Sequence, residues 1–130
     1  MNPPSKALQI TLWLVQSLLV LLLIGTGLFK LLTPIADLKA LWPWTGEHPG
    51  LVRLTGVLDA LGGLGLVLPG LLRRPGLARL AALGVALLMV GAIAFHFSRG
   101  EAANTPFNFV VLGLALFVWW GRGRPAPLRR

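Results

Sequence analysis

Hydrophobic residues in this chain run together instead of alternating with polar ones. Leu18-Leu19-Val20-Leu21-Leu22-Leu23-Ile24 leaves no polar side on any helix or strand. A helix that is apolar all round suits hydrocarbon better than the surface of a soluble core. Runs of this kind predict four membrane spans, over about residues 7–32, 51–68, 77–97 and 105–120. The second, at 1.5 Å rise per residue, covers about 27 Å, just enough to cross a bilayer. A cleaved signal peptide is the rival reading of the first run. Its apolar region would be shorter, at roughly 7–15 residues, and would lead to a small-x-small site. The first run is longer and ends in Gly25-Thr26-Gly27-Leu28-Phe29-Lys30, so a retained span is expected.

Between the runs lie short polar segments. Residues 33–50 hold Pro34, Pro43 and Pro49 with Asp37 and Glu47, and residues 34–41 suit one short amphipathic helix. Trp42-Pro43-Trp44 reads as an interfacial anchor, because indoles favour the headgroup zone. A sharper reading makes Trp42 and Trp44 the cap over a bound ligand. Pro69-Gly70 ends the second run and a basic turn, residues 71–76, follows. Residues 98–104 form a tight polar connection. Pro106 suits the first turn of the last helix, and Trp119-Trp120 closes it. The remaining residues, 121–130, read as a basic disordered tail.

Charge orients these spans. With four crossings, Lys6, Arg73, Arg74, Arg79, Arg122, Arg124, Arg129 and Arg130 share one side and no acid joins them. Lys30, Lys39, Arg53 and Arg99 stand on the other side against Asp37, Glu47, Asp59 and Glu101, so the formal charge of +8 belongs wholly to the first side. Short basic loops stay in the cytoplasm. The expected architecture is an all-α, four-span bundle in the plasma (inner) membrane with both termini cytoplasmic. The basic balance then serves topology and lipid headgroups, not nucleic acid. Charged residues make up only 12 % of the chain, against roughly 25 % in soluble domains. Cysteine is absent, which excludes disulfide scaffolds, thiolate metal sites and Cys-attached haem.

Ionisable side chains inside a span cost about 2.5–3.5 kcal/mol on insertion scales, so they face the bundle interior and find partners. Asp59 is the deepest. Gly56, Gly62 and Gly63 flank it at helical spacing, on the side where another helix can come close. Arg53, about 120° away around the same helix, pairs better across helices than with Asp59. Lys30, His96, Arg99, Glu101, Asn104 and Asn108 come from other spans but from the same membrane half. Antiparallel helices bring these eight residues into one polar cluster. It can be purely structural, fixing helix register. It can also be a half-buried pocket for a ligand or partner, with Asp59 and His96 as its titratable members. No metal-ligand spacing is present, His48 is too remote to make a bis-His pair with His96, and Gly62-Gly63-x-Gly65 lies in an apolar span where it serves packing. Gly56, Ala60 and Gly63 at small-xxx-small spacing would also permit a homo-oligomer.

The strings Gly27-Leu28-Phe29-Lys30-Leu31, Arg53-Leu54-Thr55-Gly56-Val57-Leu58-Asp59, Gly65-Leu66-Val67-Leu68-Pro69 and His96-Phe97-Ser98-Arg99-Gly100-Glu101 followed by Asn104 occur in order across three spans. Together they resemble the DoxX-like family of small four-helix membrane proteins, over about residues 8–120. The family more often has Glu where this chain has Asp59. The resemblance implies no catalytic residue. It implies a quinone-linked redox role by the family's name, or roles like those of its relatives, the NACHO-type chaperones and surfeit-type cargo receptors. The leading expectation is an accessory or assembly protein, chaperone-like and not an enzyme, that binds a membrane-protein partner or lipophilic ligand through the outer polar cluster. A quinone-handling redox subunit, with quinone as its cofactor, and a small channel or transporter are the alternatives.

Overall fold

In a computed structural model, residues 5–72 and 74–124 are described; Arg73 and residues 125–130 of the expected tail lie outside them. Helix α1 spans Lys6–Leu32, opened by the Ser5 hydroxyl, which accepts from the Leu8 N–H at 3.1 Å. Thr33 is extended, as the residue before a proline prefers. Two short helices follow, α2 over Ile35–Leu41 and α3 over Trp44–Glu47. The longer helices α4 (Pro49–Leu71), α5 (Pro75–Ser98) and α6 (Pro106–Arg122) each start on a proline, where the missing N–H costs nothing. A 3-10 turn, Ala102–Asn104, links the last two. Among the described residues there is no strand.

Three helices, α1, α4 and α5, are long and apolar enough to cross a membrane, and α6 is a shorter apolar helix of 17 residues. Their bounds lie within a few residues of the expected spans. The last differs in kind as well. α6 continues through Arg122, and Gly121 is buried, so the start of the expected disordered tail is packed helix.

Each of these four helices packs on two of the others: α1 on α4 and α6, and α5 on α4 and α6. The closest approach is between α1 and α4. A Cβ added to Gly27 would stand 2.8 Å from the Gly56 carbonyl oxygen and 2.9 Å from the Ala60 nitrogen, and one on Gly63 would meet Ile24 at 2.8 Å. The small-residue face of α4 is therefore used inside the chain, against α1. It is not free to pair with a second copy, which corrects that expectation.

The interior divides in two. Leu19, Leu23, Leu66, Val85, Met89, Val111 and Val118 form the larger core. Leu38, Trp44 and Val52 form a smaller one, with Ile35, Trp42, Leu51 and Phe95 around it. Segment α2–α3 is thus seated on the helix ends, with Leu38 fully buried. Large apolar residues also cover the outside: Leu14, Leu21, Leu80, Leu87 and Val110 are all more than half exposed. A soluble protein rarely shows such a surface.

Candidate functional site

The close contact of Gly27 with α4 sets the distance between two charges. Lys30 is one turn beyond Gly27 on α1, and Asp59 is one turn beyond Gly56 on α4. The Lys30 Nζ donates to Asp59 Oδ2 at 2.9 Å. The Asp59 side chain is 4 % exposed and that of Lys30 19 %. A carboxylate this buried requires such a partner, since leaving either charge alone costs several kcal/mol.

Arg53 takes a different role. Its guanidinium donates to the main-chain oxygens of Lys30 and, at 2.9 Å, Thr33. These carbonyls belong to the end of α1, where no further helical N–H reaches them. Arg53 thus caps α1 and holds it on α4, with no contact to the cavity described below.

A third group gathers where α3, α5 and the 3-10 turn meet. Arg99 bridges Glu47 at 2.6 Å and the Glu101 carboxylate, to which Asn104 Nδ2 also donates at 3.3 Å. Arg99 holds the exposed Glu47 carboxyl below the usual carboxylate range, chiefly by hydrogen bonding. Glu47, and then Glu101, raise Arg99 in return. Gly100, at φ +73°, makes the reversal that points Glu101 back at Arg99. His96 stands just inside this network. Its Nδ1 is buried, has no hydrogen-bond partner among the described residues, and lies 3.9 Å from Glu101 Oε1, too far for a bond.

Beneath α2–α3 the four longer helices leave a cavity of about 600 Å³. Its walls are mainly apolar, from Leu51, Leu54 and Leu58 on α4, Leu87, Met89 and Phe95 on α5, and Phe107 on α6. Lys30, Asp59, His96, Asn104 and Asn108 line it as well, and Trp42 and Trp44 bound it from α2–α3. Trp44 is 7 % exposed, with its ring edge-on to Phe95 at 5.4 Å and to His96 at 6.0 Å. It is a buried wall and not the headgroup anchor expected of it. The single cluster expected from the sequence is therefore three groups. Lys30, Asp59, His96, Asn104 and Asn108 reach the cavity; Arg53, Arg99 and Glu101 do not, and serve as supports. No set of His, Asp and Glu among the described residues could hold a metal ion.

The sequence profile of the DoxX-like family matches residues 14–118, most of the chain. The chain belongs to the DoxX-like family. With its apolar helices, this makes it a multi-pass membrane protein in contact with the lipid bilayer. No curated protein and no solved structure matches the chain.

At the other end of this DoxX-like chain lies a network that sequence reasoning missed. Gln16, 2 % exposed, donates from Nε2 to the Leu66 carbonyl at 2.8 Å and accepts from Arg122 Nε. Arg122 also donates to Gln9 Oε1 at 3.1 Å and lies 4.9 Å over the Trp13 ring. The start of α1 and the end of α6 are thereby tied together. The signal was present as a glutamine in an otherwise apolar run, where a lone amide needs a partner.

Proposed function

We propose that this protein is a non-catalytic accessory protein of the membrane that holds a lipophilic ligand in the cavity beneath α2–α3. Helix α6 crosses the bilayer with the other three, and both termini face the cytoplasm of a plasma (inner) membrane. One observation carries the ligand reading: an apolar cavity with a polar wall whose rim is itself apolar and exposed. Leu54, Leu58, Leu87 and Phe107 line it and are 54 %, 39 %, 64 % and 42 % exposed. Such a rim lets a molecule enter sideways from lipid without crossing water. The volume lies in the usual range for small-molecule sites, about 300–1,000 Å³. A partner's membrane helix is far too bulky to enter it. In an assembly role, the partner meets the outside of the loaded protein.

The test uses Gly91. It lines the cavity, and a Cβ added there meets nothing within 4 Å. Protein purified in lipid nanodiscs is extracted and its lipophiles identified by mass spectrometry. The expected result is a stoichiometric lipophile on the native chain and none on Gly91→Phe, at similar thermal stability. Equal amounts on both, or only bulk lipid on the native chain, would refute the reading. A reporter fused after Arg130 checks orientation; activity on the exported side would overturn it.

A further inference from the structure

We infer that the occupant of this cavity, on the ligand-binding reading just given, is a neutral single-chain lipophile whose head is a hydroxyl seated between Asp59 and Lys30. The two side chains present an unequal set of unmet hydrogen bonds to the same space. Asp59 Oδ2 is taken by Lys30, whereas Oδ1 accepts from no donor among the described residues, although the side chain is 4 % exposed. Lys30 has three N–H groups and places one of them on Asp59. The wall therefore asks for a donor at the carboxylate and an acceptor at the ammonium, side by side. A hydroxyl supplies both from one atom.

Other heads fit worse. A carboxylate would satisfy Lys30 but stand against Asp59. An ammonium would do the reverse. A ketone or ester carbonyl accepts from Lys30 and leaves Asp59 Oδ1 without a donor, and an unmet buried acceptor carries a desolvation penalty. The Lys30–Asp59 pair is neutral as a unit, which also favours an uncharged head. A second polar atom of the head can reach the far wall, where His96 is 9 % exposed and its Nδ1 has no partner.

Size limits the tail. At roughly 30 Å³ per non-hydrogen atom, the share of a water molecule in its liquid, about 600 Å³ accepts about 20 such atoms. That is one chain with a small head, as in a long-chain alcohol or a monoacylglycerol. A two-chain phospholipid is more than twice too large to be held inside, and its second chain would have to lie in the lipid beyond the open rim.

The experiment compares hexadecanol, its methyl ether, hexadecanoic acid and hexadecylamine. Trp42 and Trp44 line the cavity, so a variant with Trp13, Trp119 and Trp120 changed to Phe reports on it by fluorescence. Each compound is titrated against a bromine-labelled alcohol that quenches the two indoles. Calorimetry on the native chain gives the same ranking without any substitution. Hexadecanol should bind about tenfold tighter than the other three, the lower end for hydrogen bonds to charged groups. In Lys30→Met with Asp59→Leu, alcohol and ether should bind alike, at the level of the ether. Equal binding of alcohol and ether to the native chain, or tighter binding of acid or amine, would overturn the hydroxyl assignment and leave the cavity reading intact. Saturable binding by none of the four would overturn both.

Discussion

Replacing Gly27 by alanine should weaken the protein, although alanine is the better helix former. The intrinsic gain is about 1 kcal/mol. Against it stands the α4 backbone: the new methyl carbon would sit 2.8 Å from the Gly56 oxygen and 2.9 Å from the Ala60 nitrogen. Favourable separations between non-bonded atoms are about 3.5–4.0 Å, so the helices must part by roughly half an ångström or more. Neither contact is the free end of a side chain that could swing aside. Overpacking of this kind costs about 1–3 kcal/mol. The net expectation is a loss of about 1 kcal/mol, and more if the parting also lengthens the 2.9 Å Lys30–Asp59 contact. Gly25→Ala is the matched control. It lies two residues earlier in the same helix, with nothing within 4 Å of the added carbon, so it should gain what propensity offers. Thermal unfolding of the two variants in one detergent measures the difference. If Gly27→Ala proved as stable as Gly25→Ala, the close α1–α4 contact, and the spacing it imposes on the ion pair, would be refuted.

Three further outcomes are expected. Lys30→Met should cost about 3–5 kcal/mol by stranding the Asp59 charge, while Lys30→Met with Asp59→Leu should recover most of it; a double-mutant cycle of unfolding midpoints checks this, and equal losses would count against a buried pair. Gln16→Leu should cost about 1–3 kcal/mol, because Arg122 Nε loses its acceptor; no change in unfolding midpoint would show that the tie between α1 and α6 is not structural. Glu47 has its carboxyl depressed by Arg99, so the contribution of that pair is complete above the ordinary carboxylate value and is lost as pH falls through the lowered one. Protease nicking of the segment between α2 and α4 should therefore rise in acid, and Arg99→Met should show the raised rate already at neutral pH; a rate independent of both would contradict it.

The long helices were legible because hydrocarbon imposes a one-dimensional rule. A backbone in lipid must bond to itself, and the side chains around it must be apolar, so runs of leucine and valine mark each helix without reference to its neighbours. Asp59 and His96 were legible as interior residues for a similar reason, since a lone ionisable group in such a run cannot face acyl chains. The tertiary structure decided the rest. Which carboxylate meets which cation depends on how far each helix slides along the next. Helical spacing already set Arg53 apart from Asp59 on their common helix, but only the Gly27–Gly56 approach put Lys30 within reach of Asp59 and turned Arg53 onto the end of α1. Trp44 has an interfacial sequence context, yet it is a cavity wall because α2–α3 folds back over Phe95 and His96. Gln16 and Arg122 are 106 residues apart and meet only because α6 returns beside α1. Sequence alone thus determined what must avoid water and what must avoid lipid. Helix register, a property of packed pairs and not of single segments, determined the empty space between the helices and the groups that line it.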